Sequence, residues 1–294
     1  MPPTRSWFVI AFAPCLLLVG CGADGADAAG EAPGTPAEGP LLVAADVGFA
    51  PHAMVRADGT VEGFNVDLAA EIARRIGRPG YQVVDLEWSG MFPGLSAQRF
   101  EFIIAPVTIT PERAKEVLFA EGYLDTDYTF LIKKDAPDIA SLEDIRGQAI
   151  AVNNGSAYDV WATDNQETYD LEIQRYGKNA DAIQAVVTGR AFANLSGETV
   201  AKWAAKESPL VRTTYSIKTG ARFAAAFRHA DVAFRDRVED AIECMKIDGT
   251  MAGLHQKWFG DLPAPGSAAV TVQDGYGEIG MVGYDPTPHT PACP

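Results

Sequence analysis

Few residues in this chain have the type and setting to do chemistry, and they are scattered. Arg113 stands in TPERAKE (110–116), where Thr110 suits an N-cap, Pro111 the first helical position and Glu112 the positive end of a helix. A helix start favours anions, and a planar guanidinium holds a carboxylate bidentately, which a lysine does not. Read alone, Arg113 is better taken as a surface helix pair with Glu112 or Glu116. The four histidines (His52, His229, His255, His289) show no paired metal spacing, so no metal and no cofactor are expected. There is no GxxxxGK(S/T) loop, no HExxH pair and no GxSxG elbow, and no catalytic residue is assigned. Four cysteines allow two disulfides, one zinc site or neither, and their positions decide.

The 294 residues carry 24 Lys+Arg against 39 Asp+Glu, a formal charge of −15, with 47% apolar residues. That balance is globular, with length for one large domain or two medium ones. The acid excess argues against a nucleic-acid surface and against charge-driven binding to anionic lipid. Residues 7–20 (WFVIAFAPCLLLVG) are uninterruptedly apolar after a single Arg5, too short for a comfortable span and typical of a secretory signal. The boundary LVGC (18–21) resembles the bacterial lipobox, which implies that Cys21 is lipidated and anchors an exported chain to a membrane. Residues 21–40, rich in Gly, Ala, Pro and acid, read as a flexible tether. With Cys15 in the signal and Cys21 lipidated, Cys244 and Cys293 remain as a natural disulfide pair, stabilising by roughly 4 kcal/mol through chain entropy.

The elements that must position any site alternate along the rest of the chain. Short apolar runs at 41–45, 81–86, 100–107, 128–134, 148–152, 171–176, 191–195 and 221–228 read as strands. Helical patterns fall at 64–77, 110–116, 141–147, 156–166, 179–190, 197–207, 231–247 and 249–258, with Leu68, Ile72 and Ile76 on one face of the first. This alternation means α/β with mostly parallel sheets and a ligand site at the carboxyl ends of strands, between lobes if there are two. The tail from 261 to 294 is Pro/Gly-rich without helical period, yet holds Tyr276, Tyr284 and Cys293.

Four segments, VAADVGFAPHAMVRADGTVEGFNVDLAAEIARRIG (43–77), WSGMFPGLSAQRFEFIIAPVTITPERAKEVLFAEGYL (88–124), SLEDIRGQAIAVNNGSAYD (141–159) and IECMKIDGTMAGLHQKWFG (242–260), resemble extracellular solute-binding proteins of family 3, the polar amino-acid binders of ABC importers. The resemblance implies a two-lobed α/β fold of periplasmic binding protein type II. Lobe 1 would be 41–129 plus 216–260 and lobe 2 132–213, with hinges near Phe130 and Tyr215. It implies a monomer that traps an amino acid or related small carboxylate by hinge closure and docks on an ABC permease. By the same resemblance Arg113 meets the ligand carboxylate, Thr108 adds donors, and Pro106 offers a carbonyl to the ligand amine. Asp46, Phe49 and Trp88 line the lobe 1 side, the two rings sandwiching the ligand. Phe49 and Trp88 would otherwise be core, and Asp46 would otherwise cap a turn. Asn153, Gly155 and Ser156 complete the carboxylate cradle, although Ser156 also suits a helix N-cap.

One departure stands out. The family's acid for the ligand ammonium falls at Gly197, with Glu198 next door as the substitute, and Phe192 replaces a usual aspartate on the same strand. Two other functions fit the resemblance: a cyclohexadienyl dehydratase-like enzyme, which needs a general acid such as Glu198, and a periplasmic accessory or sensor module.

Overall fold

The computed structural model describes residues 39–293. The signal segment, Cys21 and nearly all of the tether lie outside them. The elements in chain order are β1 (Leu41–Ala45), β2 (Gly48–Phe49), β3 (Ala53–Val55), β4 (Val61–Glu62), α1 (Phe64–Arg75), β5 (Tyr81–Asp85), α2 (Met91–Ser96), β6 (Phe102–Thr108), β7 (Leu118–Phe119) and β8 (Leu124–Lys133). After these come β9 (Ala149–Asn153), α3 (Ala157–Asp164), α4 (Gln166–Tyr169), β10 (Glu172–Tyr176), α5 (Asn179–Val187), β11 (Ala193–Gly197), α6 (Glu198–Glu207), β12 (Val211–Phe227), α7 (Val232–Ile247) and α8 (Thr250–Phe259).

One nine-stranded sheet runs β10-β9-β11-β8-β12-β6-β1-β5, with β7 added on β12. Its two flanks are parallel: β1 pairs with β5 and β6, and β9 with β10 and β11. Its centre is the long antiparallel pair β8 and β12, whose register shifts twice. Core residues divide accordingly. Leu41, Phe64, Leu68, Phe102, Phe223, Ile242 and Met245 form one cluster, and Phe130, Ile132, Ile150, Val152, Leu195 and Val200 another. The chain thus has the two-lobed α/β fold of periplasmic binding protein type II, with its cleft where the lobes meet.

The local reasons are visible in the residues. β6 (FIIAPVT) is buried along its whole length, as a central strand must be, and so lacks alternation. Pro106 within it has no N–H to give, and the β6–β12 ladder is irregular between Ala224 and Ala226, near where that donor is missing. In α1 the side chains of Leu68, Ala69 and Ile72 are buried, and Gly77 follows the helix at a positive φ of 75°. Ser141 and Asp144 form the capping box of a short 3-10 turn.

Two expectations change. TPERAKE is not a helix but a single 3-10 turn at Arg113–Lys115, because β7 begins three residues later and ends the winding. The strand expected at 221–228 begins at Val211; its first half is polar and half-buried and so carries no hydrophobic signal. The tail has no regular secondary structure, yet Ala268, Ala269 and Glu278 are buried, and Cys293 is joined to Cys244 with their Cα atoms 5.5 Å apart.

A buried histidine links the two sides of the sheet. His52 is fully buried, with Nδ1 2.8 Å from Asn65 Oδ1 and Nε2 2.8 Å from Thr199 Oγ1 at the start of α6. Asn65 Nδ2 already donates to Ile104 O and to Tyr123 Oη, so its Oδ1 accepts from a neutral His52 that carries its proton on Nδ1. Burial pushes His52 down to about 4 from an ordinary 6.5. Its stabilising contribution is therefore whole above pH 6.5, declines as pH falls below that value, and is gone below about 4. That loss is about 3 kcal/mol. Urea unfolding of wild type and His52→Gln across this window isolates the contribution from the carboxylates that titrate with it; equal slopes for the two proteins would refute it.

Candidate functional site

The carboxyl ends of β6 and β9 face each other across the cleft and bring Thr108 and Asn153 together. A small cavity of about 10 Å³ there, room for one water, is lined by Phe49, Trp88, Pro106, Thr108, Arg113, Asn153, Ser156, Ala157 and Tyr158. Seven of the ten residues expected at the site thus converge, although they span more than 100 positions of sequence.

Arg113 is the charged group among them. The 3-10 turn presents its guanidinium inward, where Nη1 donates to Thr108 O at 3.0 Å and Nη2 to Gly155 O at 3.4 Å. The group lies 5.1 Å from the centre of the Trp88 ring and 5.8 Å from that of Phe92. Among the described residues it makes no ion pair, and burial holds its pKa below the ordinary arginine value. The surface pairing with Glu112 or Glu116 does not form. A desolvated cation whose partners are all neutral is a site for an anion.

Gly155 closes the far side. Its carbonyl accepts from Trp88 Nε1 at 2.9 Å as well as from Arg113, and its φ of +73° is one that an L side chain resists. Ser156 caps α3, with its Oγ accepting from Asp159 N. Asn153 spends its amide on Tyr176 O and Gly177 O, which fixes the strand end rather than pointing a donor inward.

Asp46 and Glu198 stand apart from the cavity lining. Asp46 is buried, caps the turn at Gly48 N and reaches Lys178 at 3.4 Å, leaving Oδ2 without a partner. Glu198 does not take the place foreseen for it. As the first residue of α6 it pairs with Lys202 at 2.6 Å and borders a different, larger cavity of about 400 Å³ with Trp203, Trp258 and Phe259. Gly197 is where β11 hands over to α6, and the turn of the helix carries the next side chain away.

Tyr158 is the residue that the sequence reading missed. It is buried in the first turn of α3, and burial raises its pKa. Its ring packs edge-on to Tyr128 at 4.9 Å. A Cβ built on Gly197 would lie 2.8 Å from the Tyr158 hydroxyl. An acid at position 197 and this tyrosine therefore exclude each other sterically, and the phenol fills the space where the acid would stand. The aromatic residue three positions after Gly155 in NNGSAY was the available signal.

A two-lobed fold with a half-buried cation in the cleft is that of a solute-binding protein. Residues 41–261 match the bacterial extracellular solute-binding proteins, family 3, and the chain belongs to that family. It is 29% identical over 228 residues to the L-cystine-binding protein TcyJ of Escherichia coli (strain K12), covering 76% of this chain and 83% of that one. Identity to the arginine-binding extracellular protein ArtP of Bacillus subtilis (strain 168) is 24% over 262 residues, 87% of this chain and 98% of that one. Among solved structures, an ancestral arginine-binding protein bound to arginine superposes with a TM-score of 0.72 at 28% identity, covering 76% and 99% of the two chains. The ancestral amino acid-binding protein AncCDT-1, a precursor of cyclohexadienyl dehydratase, gives 0.69 at 32%, covering 75% and 96%.

Proposed function

We propose that the chain is the substrate-binding lipoprotein of an ABC importer, and that it captures an amino acid or related small carboxylate between its lobes and delivers it to a permease. The observation that carries this is the half-buried guanidinium of Arg113, which makes no ion pair among the described residues and lies against the Trp88 and Phe92 rings in the cavity. The carboxylate docks on Arg113, Thr108 and the Gly155–Ser156 turn, with Phe49 and Trp88 against its body. Asp46, with Oδ2 unpartnered, and the carbonyl of Pro106 are the acceptors assigned to a ligand ammonium. Relatives named for cystine and arginine support an amino-acid ligand. The small cavity is that of a closed form, which the ligand enters through opening at the β8/β12 pair.

The lobes are assigned as 41–129 with 216–260, and 132–213. Export, a lipid anchor at Cys21, a tether to residue 40, a monomeric state and the Cys244–Cys293 disulfide in the extracytoplasmic protein complete the reading. No helix among the described residues is long and apolar enough to cross a membrane. A dehydratase needs a placed general acid, and no carboxylic acid stands among the described residues that line the cavity. Calorimetry and thermal shift with a panel of amino acids, opines and organic acids are expected to show stabilisation by one class of carboxylate. Turnover of prephenate or arogenate, or indifference to every carboxylate, would overturn the reading.

A further inference from the structure

Under the C-terminal tail, three groups converge that no local spacing announces. Asp240 and Glu243 are one turn apart on α7, and His289 arrives from the tail, 46 residues beyond Glu243. One ligating atom of each lies within 4.8 Å of the others. His289 Nε2 is 2.8 Å from Glu243 Oε2 and 3.7 Å from Asp240 Oδ1. Around an ion held at metal–ligand distances of about 2.0–2.1 Å in a tetrahedron, donor atoms stand ~3.3 Å apart. The two separations bracket that value.

The group is built and held. Glu243 is fully buried, and its second oxygen, Oε1, has no hydrogen-bond partner; His289 Nδ1 has none either. The imidazole stacks on Tyr276 with centroids 3.7 Å apart, and the Tyr276 hydroxyl donates to Asp240 Oδ1 at 3.1 Å. Cys244, next to Glu243, is joined to Cys293, four residues past His289, so helix and tail are tied beside the group.

Charge points the same way. Lys246 is spent on Glu121, and Arg235 pairs with Asp236 and lies 3.9 Å from Glu239. Arg75 and Arg237 border the same surface cavity as Asp240, but among the described residues His289 is the only ion-pair partner of Asp240 and Glu243. A cation at this point offsets the two carboxylates.

We propose that Asp240, Glu243 and His289 form a binding site for a divalent transition-metal ion that fastens the tail to α7. One imidazole with two carboxylates suits Zn²⁺ or Co²⁺, whereas Ca²⁺ and Mg²⁺ demand six or more oxygens. Asp240 is half-buried and also borders a surface cavity of about 150 Å³. Tyr276 is a positioning residue, since it touches both His289 and Asp240. Only a deprotonated imidazole and ionised carboxylates ligate a metal ion, so affinity rises with pH.

The test uses the purified, metal-free chain with its disulfide intact. Titration with Zn²⁺ is expected to show one equivalent bound and a raised thermal midpoint, and Co²⁺ to give ligand-field bands in the visible. His289→Ala is expected to weaken Zn²⁺ binding by at least ~100-fold, more than outer-shell changes do. His255→Ala, which alters an imidazole outside the group, leaves it unchanged. Near-ultraviolet circular dichroism shows whether His289→Ala keeps the fold, and Asp240→Asn, which removes no bulk, serves as the second variant. Absence of Zn²⁺ and Co²⁺ binding to the wild type, or undiminished binding in both variants, would sink the proposal. So would equal affinity for Mg²⁺.

Discussion

Arg113→Ala is expected to lower affinity for the captured carboxylate by on the order of 10²–10³-fold, the usual result of truncating one partner of a buried, hydrogen-bonded charge pair. The guanidinium sits in the cavity with only carbonyls and rings as partners, so the ligand's carboxylate is its first full counter-charge. Two consequences separate this from simple damage. The unliganded variant keeps its thermal midpoint or gains, because an uncompensated half-buried cation has been removed. Arg113→Lys recovers only part of the affinity, because a point charge cannot reproduce the bidentate fork. Calorimetry reads the affinity and thermal scanning the midpoint. Binding within threefold of wild type in Arg113→Ala would mean that the carboxylate docks elsewhere.

That arginine was legible in the sequence only through its neighbours. By composition alone TPERAKE is a surface helix with two glutamates for company, and the ordered match of four long segments changed that reading. The frame was more directly legible, because its signal is local. Buried runs such as FIIAPV, the heptad-like spacing of Leu68 and Ile72, and the Ser141 cap each depend on residues within a turn or two. What stayed hidden depends on partners far along the chain. Tyr158 became a site residue because Gly197, 39 positions later, leaves space for its hydroxyl. Glu198 was misplaced because adjacency in sequence says nothing about which way the first turn of a helix carries a side chain. The first half of β12 is mostly polar and half-buried, and its pairing with β8 is backbone to backbone over a strand far away in sequence. The tail lacks any period because it is held by hydrogen bonds and a crosslink, not by an apolar face.

Those hydrogen bonds carry the second large effect. Lys246→Ala is expected to destabilise the protein by about 3–5 kcal/mol, the cost of leaving a buried charge without its partner. Lys246 and Glu121 are both fully buried, 2.5 Å apart. The ammonium donates also to Gly122 O and Thr271 O, which uses all three of its protons, and Glu121 Oε2 accepts from Gln273 N. One residue therefore holds the β7–β8 loop, α7 and the tail together. Removing it orphans a carboxylate and two carbonyls at once, and with Lys246 gone the Glu121 carboxyl rises further above its ordinary value of 4.5. A neutral acid tolerates burial, so the gap between variant and wild type narrows as pH falls toward 4.5 and widens as pH rises. Adding Glu121→Gln to Lys246→Met replaces the pair by groups that need no counter-charge and is expected to return most of the loss. Denaturant unfolding of the single and double variants measures each step. A single-variant loss below about 1 kcal/mol, or a double variant no better than the single, would show that the tail is held by the Glu278 contacts to Gly122 and Arg222 instead.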